Sequence, residues 1–396
     1  MHRPPDCLYA AFDTYPAPKG AAIHIREFSA ALFEHFGNGL LLALGSPELP
    51  AWQFEGSCEI RRMISDENNF LKKAGEFSQF VQFHAELLKN DLRIAHFRDP
   101  WGGLPILRSV APQCRTVFEV NALPSIELPV RFRNITSTVL DKIRNIENEC
   151  LQRSDAIICP SDVIRNFLIE RGIAGSKISV IRNGAVIVDP TGLPRPEAAP
   201  EDYLVYVGAV QSWQGLEVLF KAMTFLADMP HLKLVLCVSG SKQRLKFLNK
   251  LAERMQISGR LVWQYRLNQN ELLPWLAHAR ISVAPLTECS RNLQQGCCPL
   301  KILETMAMQV PVIASDIPVV RELVEHNQTG WLVRPDRPSE LARAIRILLA
   351  NRSEADRIKN AAYTKAVRDF SWQKAATELR SLYERLADAG IVSEKL

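Results

Sequence analysis

Residues 296–307, GCCPLKILETMA, place a lysine and a glutamate three apart, behind a glycine, two cysteines and a proline. Proline suits the first turn of a helix, where its missing N–H costs nothing. The stretch therefore predicts a helix with Pro299 at its first position and Cys298 as N-cap. A helix start carries roughly half a positive charge and free amide donors, so it attracts phosphate. Residues three apart share a helix face. Lys301 and Glu304 can then clamp a phosphate and a sugar hydroxyl, or they can form a solvated surface ion pair. Leu300, Ile302, Leu303 and Met306 predict burial of the other faces. The flanking runs ISVAPL and VPVIASD read as strands, which puts the helix start at a strand's carboxyl edge, where open α/β sheets bind ligands.

Further runs must build the frame that holds this pair. CLYAAFD, GLLLALG, RIAHFRD, RTVFEV, DAIICPS and ISVIRN are strand candidates, separated by amphipathic stretches at 21–36, 74–89, 133–152 and 161–171. After the Pro- and acid-rich segment 188–202 (VDPTGLPRPEAAPED) comes a second series: YLVYVGA, LKLVLCVSG, RLVWQYR, ISVAPL, VPVIASD and GWLVRP. Nearly continuous apolar strands separated by helices imply parallel sheets covered on both faces. The expectation is α/β: two doubly wound Rossmann-like domains facing across a cleft. Residues 1–187 would form the first domain, 188–202 a linker and 203–370 the second domain. A final amphipathic helix, about 371–396, would cross back to the first domain.

Composition narrows the classes. The 396 residues are 47% apolar and 23% charged, with a formal net charge of +5. That charge fits an anionic small ligand or an acidic membrane surface and falls short of a nucleic-acid binder. The eight histidines lack metal-ligand spacing, and the nine cysteines lack CxxC pairs. No metal or other cofactor is expected, and reduced thiols point to the cytoplasm. The first residues show no apolar signal segment, and no run approaches the roughly 18 residues needed to span a bilayer.

From ISVAPL through PLKILETMAMQVPVIASDIPVVRELVEHNQTGWLV the chain resembles the donor-binding segment of family 4 glycosyltransferases of the GT-B fold. The family commonly carries two glutamates in this segment, one for the donor sugar and one for the ribose. Glu304 matches the second and Gly296 stands at the first, as in a subset with a PLK motif. The resemblance implies retaining transfer from a UDP- or GDP-sugar to a glycan or lipid-linked acceptor in cell-surface polysaccharide assembly. It implies metal independence and no nucleic acid. The basic stretches 61–63, 131–149 and 244–254 read as solvated faces or, for the two in the first domain, as peripheral contacts with an anionic inner membrane face. Lys301 would stabilise the departing diphosphate. Gly296, Cys297, Cys298 and Leu300 would line the donor, with backbone N–H groups at 296–298, or Arg291 and Asn292, reading sugar hydroxyls.

Three other stretches resemble the family's loops. In YVGAVQSWQG, Gly208 permits close backbone approach, while Ala209 and Gln214 stand where the family has Arg and Lys; Gln214 then faces the donor. Gly20 matches the first glycine loop, and the following turn offers His24 and Arg26 to an acceptor. HFRDPWGG offers Arg98 to an anion and Trp101 to a sugar face, and Glu119 occupies a strand end near the reacting carbon. Asp99 and Glu119 can equally cap helices or pair with Arg98. Three further readings stay open: a non-catalytic nucleotide-sugar-binding subunit, suggested by the missing glutamate and cations, and an epimerase or a phosphorylase of the same fold.

Overall fold

A computed structural model describes residues 4–132 and 134–393; Arg133, inside the basic stretch 131–149, lies outside the described residues. Two compact units emerge. The first gathers the described parts of Met1–Ala17, Ala21–Arg182 and Ala375–Leu396, and the second Pro18–Gly20 with Asn183–Lys374.

The first unit runs β1 (Cys7–Thr14), α1 (Gly20–Phe36), β2 (Gly39–Leu44), β3 (Trp52–Glu55), β4 (Cys58–Met63), α2 (Phe70–Leu87), β5 (Ile94–Phe97) and α3 (Pro100–Ser109). It continues through β6 (Arg115–Glu119), α4 (Pro124–Arg131), α5 (Ser137–Arg153), β7 (Ala156–Cys159), α6 (Asp162–Glu170) and β8 (Ile178–Val180). Its strands lie in the order β3-β4-β2-β1-β5-β6-β7-β8. All neighbours are parallel except β3, which turns back on β4. Strands β5 and β7 bury every residue and β1 its first five, as parallel strands covered on both faces must. The order reverses beside β1, so the segments after β1 and β5 flank a switch point, where such sheets bind ligands.

The second unit runs β9 (Tyr203–Ala209), α7 (Leu216–Thr224), β10 (Lys233–Ser239), α8 (Lys242–Arg254), β11 (Leu261–Tyr265), α9 (Gln269–Ala277) and β12 (Ile281–Ala284). Then come α10 (Leu300–Ala307), β13 (Val312–Ser315), α11 (Pro318–Arg321), β14 (Trp331–Val333), α12 (Pro338–Ala350), α13 (Arg352–Asp369) and α14 (Trp372–Ser393). The order β11-β10-β9-β12-β13-β14 is the doubly wound dinucleotide-fold arrangement, with its switch point between β9 and β12. Residues 188–202 pack with this unit: His278 Nε2 lies 2.9 Å from the Leu193 carbonyl, and Arg280 pairs with Asp202 at 2.9 Å.

Helix α14 leaves the second unit after Lys374 and belongs to the first from Ala375 onward. Its Tyr383 is fully buried there and meets His96 of β5 at 2.8 Å. None of the described helices is long and apolar enough to cross a membrane.

Candidate functional site

Both segments that flank the β9/β12 switch point converge on Lys301. Gly208, the penultimate residue of β9, has φ +136°, and a Cβ there would lie 2.9 Å from Lys301 Nζ. Only glycine reconciles that backbone with that neighbour. The turn after β9 closes at Gly215, φ +75°, where a Cβ would overlap the Pro285 carbonyl. The segments following β9 and β12 are therefore in contact, and α10 starts beside them.

Lys301 is the second residue of α10 and only 9% exposed. Its Nζ donates to Gln214 Oε1 at 2.5 Å and sits 4.2 Å above the Tyr206 ring. Burial pushes the amine down to about 7; Cys297 and Glu304 oppose this and Arg291 adds to it. Glu304, 6% exposed, accepts from Gln269 Nε2 at 3.2 Å. Burial raises its carboxyl, against the Gln269 bond and the Lys301 charge. Lys301 and Glu304 form no ion pair with each other. The solvated surface pair, one of the two readings of the motif, is thereby excluded.

Several expected placements shift. Pro299, with φ −69° and ψ 104°, is itself the N-cap, and the helix begins at Leu300 rather than at Pro299. Proline's fixed φ serves an extended residue as well as a helical one. Cys298 lies one residue outside, and its carbonyl accepts from Asn183 Nδ2 at 2.9 Å. Residues 291–295 form a single π turn closed by the Gly296 N–H on the Arg291 carbonyl at 3.0 Å. The Gly296 amide is thus committed to the fold and not offered to a sugar. Asn292 is fully buried, its amide donating to the carbonyls of Trp213 at 3.0 Å and Thr287 at 2.8 Å. Its side chain ties the loop together instead of reading hydroxyls. Arg291 stacks over Trp213 at 5.4 Å. Cys297 is half-buried and Leu300 partly exposed. Gly20 groups with this unit, where its Cβ would lie 2.8 Å from Leu300 Cδ1.

The first unit gathers its predicted residues around Glu119 at the end of β6. The carboxylate accepts from Tyr9 at 2.7 Å, from Arg98 Nε at 2.7 Å, and from Asn121. His24 Nε2 lies 2.7 Å from Oε1 and His96 Nε2 3.2 Å from Oε2. A carboxylate has about four lone-pair sites; here three donors bond it and two histidine rings crowd it. Burial pushes its carboxyl up, but the charges of His24 and Arg98 outweigh that and hold it well below the usual range. Glu119 is thereby committed to the fold, and Arg98 spends its charge on Glu119 rather than on a ligand. His24 is 3% exposed and part of this cluster, while Arg26 pairs with Glu27 at the surface. Asp99 caps α3 through Gly102 N at 2.9 Å. Trp101 faces inward from α3 onto Phe70, 8% exposed, and so presents no sugar platform.

Tyr206 and Gln269 were not singled out from sequence. Their signal is faint: a tyrosine inside an apolar strand and a glutamine at a helix start. Among the described residues no group of three or more His, Cys, Asp or Glu is placed to hold a metal.

Two Rossmann-like units, each with its switch point furnished in this way, define the GT-B class. Residues 18–187 match the model of Glycosyltransferase Family 4, and residues 194–365 match that of Glycosyl transferases group 1. Each half of the chain is thus similar to a glycosyltransferase family, and the whole has the GT-B fold. An uncharacterized glycosyltransferase of Methanocaldococcus jannaschii is 22% identical over 268 residues, 66% of each chain. The matched stretches span 58–66% of the lengths of such curated relatives. Sucrose-phosphate synthase from Thermosynechococcus elongatus shares the fold with a TM-score of 0.77 at 20% identity, covering 96% of this chain and 99% of that one. Anabaena HepE, solved in complex with UDP and glucose, does so with a TM-score of 0.71 at 15% identity and coverage of 96% and 99%.

Proposed function

We propose that the protein transfers a hexose from a nucleoside-diphosphate sugar to a glycan or lipid-linked acceptor in cell-surface polysaccharide assembly, with retention at the anomeric carbon. The observation that carries this reading is the buried amine of Lys301. It sits against the Gly208 backbone at a switch point, with an amide and a ring for partners and no carboxylate. A diphosphate is the anion that suits such a place. Glu304, one turn further along the same face, is positioned to accept from a ribose hydroxyl.

Transfer requires stabilising a leaving diphosphate and an oxocarbenium-like sugar. Preorganised donors aimed at the departing charge supply much of that stabilisation. Lys301 Nζ and the first amides of α10 fill this role, since Pro299 offers them no side-chain cap. A phosphate oxygen of the leaving group takes the acceptor's proton, so no side-chain base is needed. This agrees with Glu119 being buried among partners of its own. The complex of HepE with UDP and glucose supports a nucleotide-sugar donor by analogy of fold alone.

A donor screen that reads nucleotide release tests the proposal, with product anomeric configuration followed by NMR. At least one nucleotide sugar turns over, and Lys301→Ala lowers that turnover about 10²–10³-fold. Tight binding without hydrolysis or transfer would leave only a binding subunit.

A further inference from the structure

An ammonium has three N–H donors. On Lys301 one is taken by Gln214 Oε1 at 2.5 Å, and a second side of the group faces the Tyr206 ring at 4.2 Å. The strand beneath leaves room for it only because residue 208 is glycine. The side chain is nine-tenths buried.

The ionisable groups around Nζ are few. Glu304 shares its helix but bonds to Gln269. Cys297 lies in the preceding loop, and Arg291 adds like charge from the π turn. Strand β9 contributes Tyr206, whose phenol burial keeps protonated, and the turn after it contributes the neutral Gln214. A buried amine with no counter-ion sheds its proton, and an arriving anion restores it.

We propose that donor binding is coupled to proton uptake at Lys301: the diphosphate enters the site together with one proton, which Nζ takes from solvent. The inference rests on the donor site proposed above. The balance is simple. A neutral amine and a proton become an ammonium that hydrogen-bonds a phosphate oxygen, and the proton returns to solvent when the nucleoside diphosphate leaves. Burial already pushes the amine of the empty site down to about 7. The coupling favours donor capture at neutral pH and product release as pH rises.

Titration calorimetry of the full chain tests this with UDP-glucose, GDP-mannose and ADP-glucose at pH 8, in buffers of different ionisation enthalpy. Sugar nucleotides have no titrating terminal phosphate, so the ligand supplies no proton of its own. The expected uptake is about 0.9 proton, and the Kd weakens roughly tenfold per pH unit from pH 7.5 to 9. Lys301→Arg stays charged and binds with little uptake and a flat profile. Lys301→Met, which keeps the cage filled, binds more weakly and also without uptake. Wild-type binding with no uptake, or equal uptake in the Arg variant, would overturn the coupling while leaving the donor site standing. Binding of none of the three would overturn the donor site, and the coupling with it.

Discussion

Replacing Lys301 with methionine should make the ligand-free protein more stable while depriving it of its donor. The amine falls from 10.5 to about 7 because it is 9% exposed and makes no ion pair, and the charges of Cys297 and Glu304 only partly offset the burial. At about 1.4 kcal/mol per pH unit of such a change, holding the proton costs the fold on the order of 5 kcal/mol. The Tyr206 ring returns about 1 kcal/mol to the charged form. A net penalty of about 3–5 kcal/mol is therefore present below pH 7. The sign follows from proton counts. Between pH 7 and 10.5 the unfolded chain holds the proton and the folded chain does not, so wild-type stability rises with pH through that window. Methionine does not titrate, fills similar volume, and places sulfur against the ring. Its advantage should be largest near pH 6 and shrink by about 1.4 kcal/mol per pH unit between pH 7 and 10. Thermal unfolding of both chains from pH 6 to 10 measures it. The expected difference at pH 6 is about 6–20 °C, at about 2–4 °C per kcal/mol for a unit of this size. A methionine variant that is no more stable than wild type at pH 6, or an advantage without pH trend, would refute the picture of a desolvated amine.

Three other outcomes follow from the same geometry. Gly208→Ala brings a Cβ to 2.9 Å from Lys301 Nζ at φ +136°; it should cost about 1–3 kcal/mol in denaturant unfolding and weaken nucleotide binding in titration. Glu304→Gln should weaken nucleoside-diphosphate affinity by about 1.5–3 kcal/mol, the value of a hydrogen bond to a charged group, with turnover at saturation falling much less; steady-state kinetics separates the two. His84, 5% exposed and beside Arg61, is pushed down to about 4, first by burial and then by that guanidinium. It stays neutral in the fold while the unfolded chain gains a proton below pH 6.5, so stability is lost as pH falls from 6.5 toward 4. His84→Phe should remove about 2–3 kcal/mol of that loss, read as a flatter acid limb in unfolding curves.

Much of the frame was legible because parallel strands buried on both faces leave long apolar runs, and the twelve predicted strands all formed. The hairpin of β3 and β4 was not. Trp52 and Phe54 are exposed on an edge, and Glu59, Arg61 and Arg62 interrupt any apolar run. Read as basic surface, Arg62 is in fact 3% exposed, donating to the carbonyls of Tyr15 at 2.6 Å and Pro50 at 2.8 Å. Helix α3 carries two prolines and two glycines, a composition that argues against helix. Tertiary packing overrides it: Asp99 caps the start, and Gly103 lets the backbone lie on Phe97. Helix α13 is polar apart from a stripe of Ala355, Ile358, Ala362 and Ala366, too small to stand out.

At the site the pattern was the reverse. Lys301 and Glu304 stand out by spacing within one helix, and Gly208 by its place after a strand. Their partners Gln214, Tyr206 and Gln269 come from other elements, so no local period reveals them. Glu119 illustrates the limit most clearly. Its neighbours Tyr9, His24, His96 and Arg98 come from three separate elements and the loop after β5, and Tyr383 reaches His96 from 287 residues away. A buried carboxylate collects charges by proximity in space, which sequence order does not encode.

The central claim is that Lys301 and Glu304 hold the diphosphate and the ribose of one nucleotide. A crystal structure of the full chain with a nucleoside diphosphate bound tests it most directly. The account predicts phosphate oxygens within hydrogen-bond distance of Lys301 Nζ and a ribose hydroxyl on Glu304. A nucleotide seated elsewhere, with Lys301 still closed on Gln214, would contradict it.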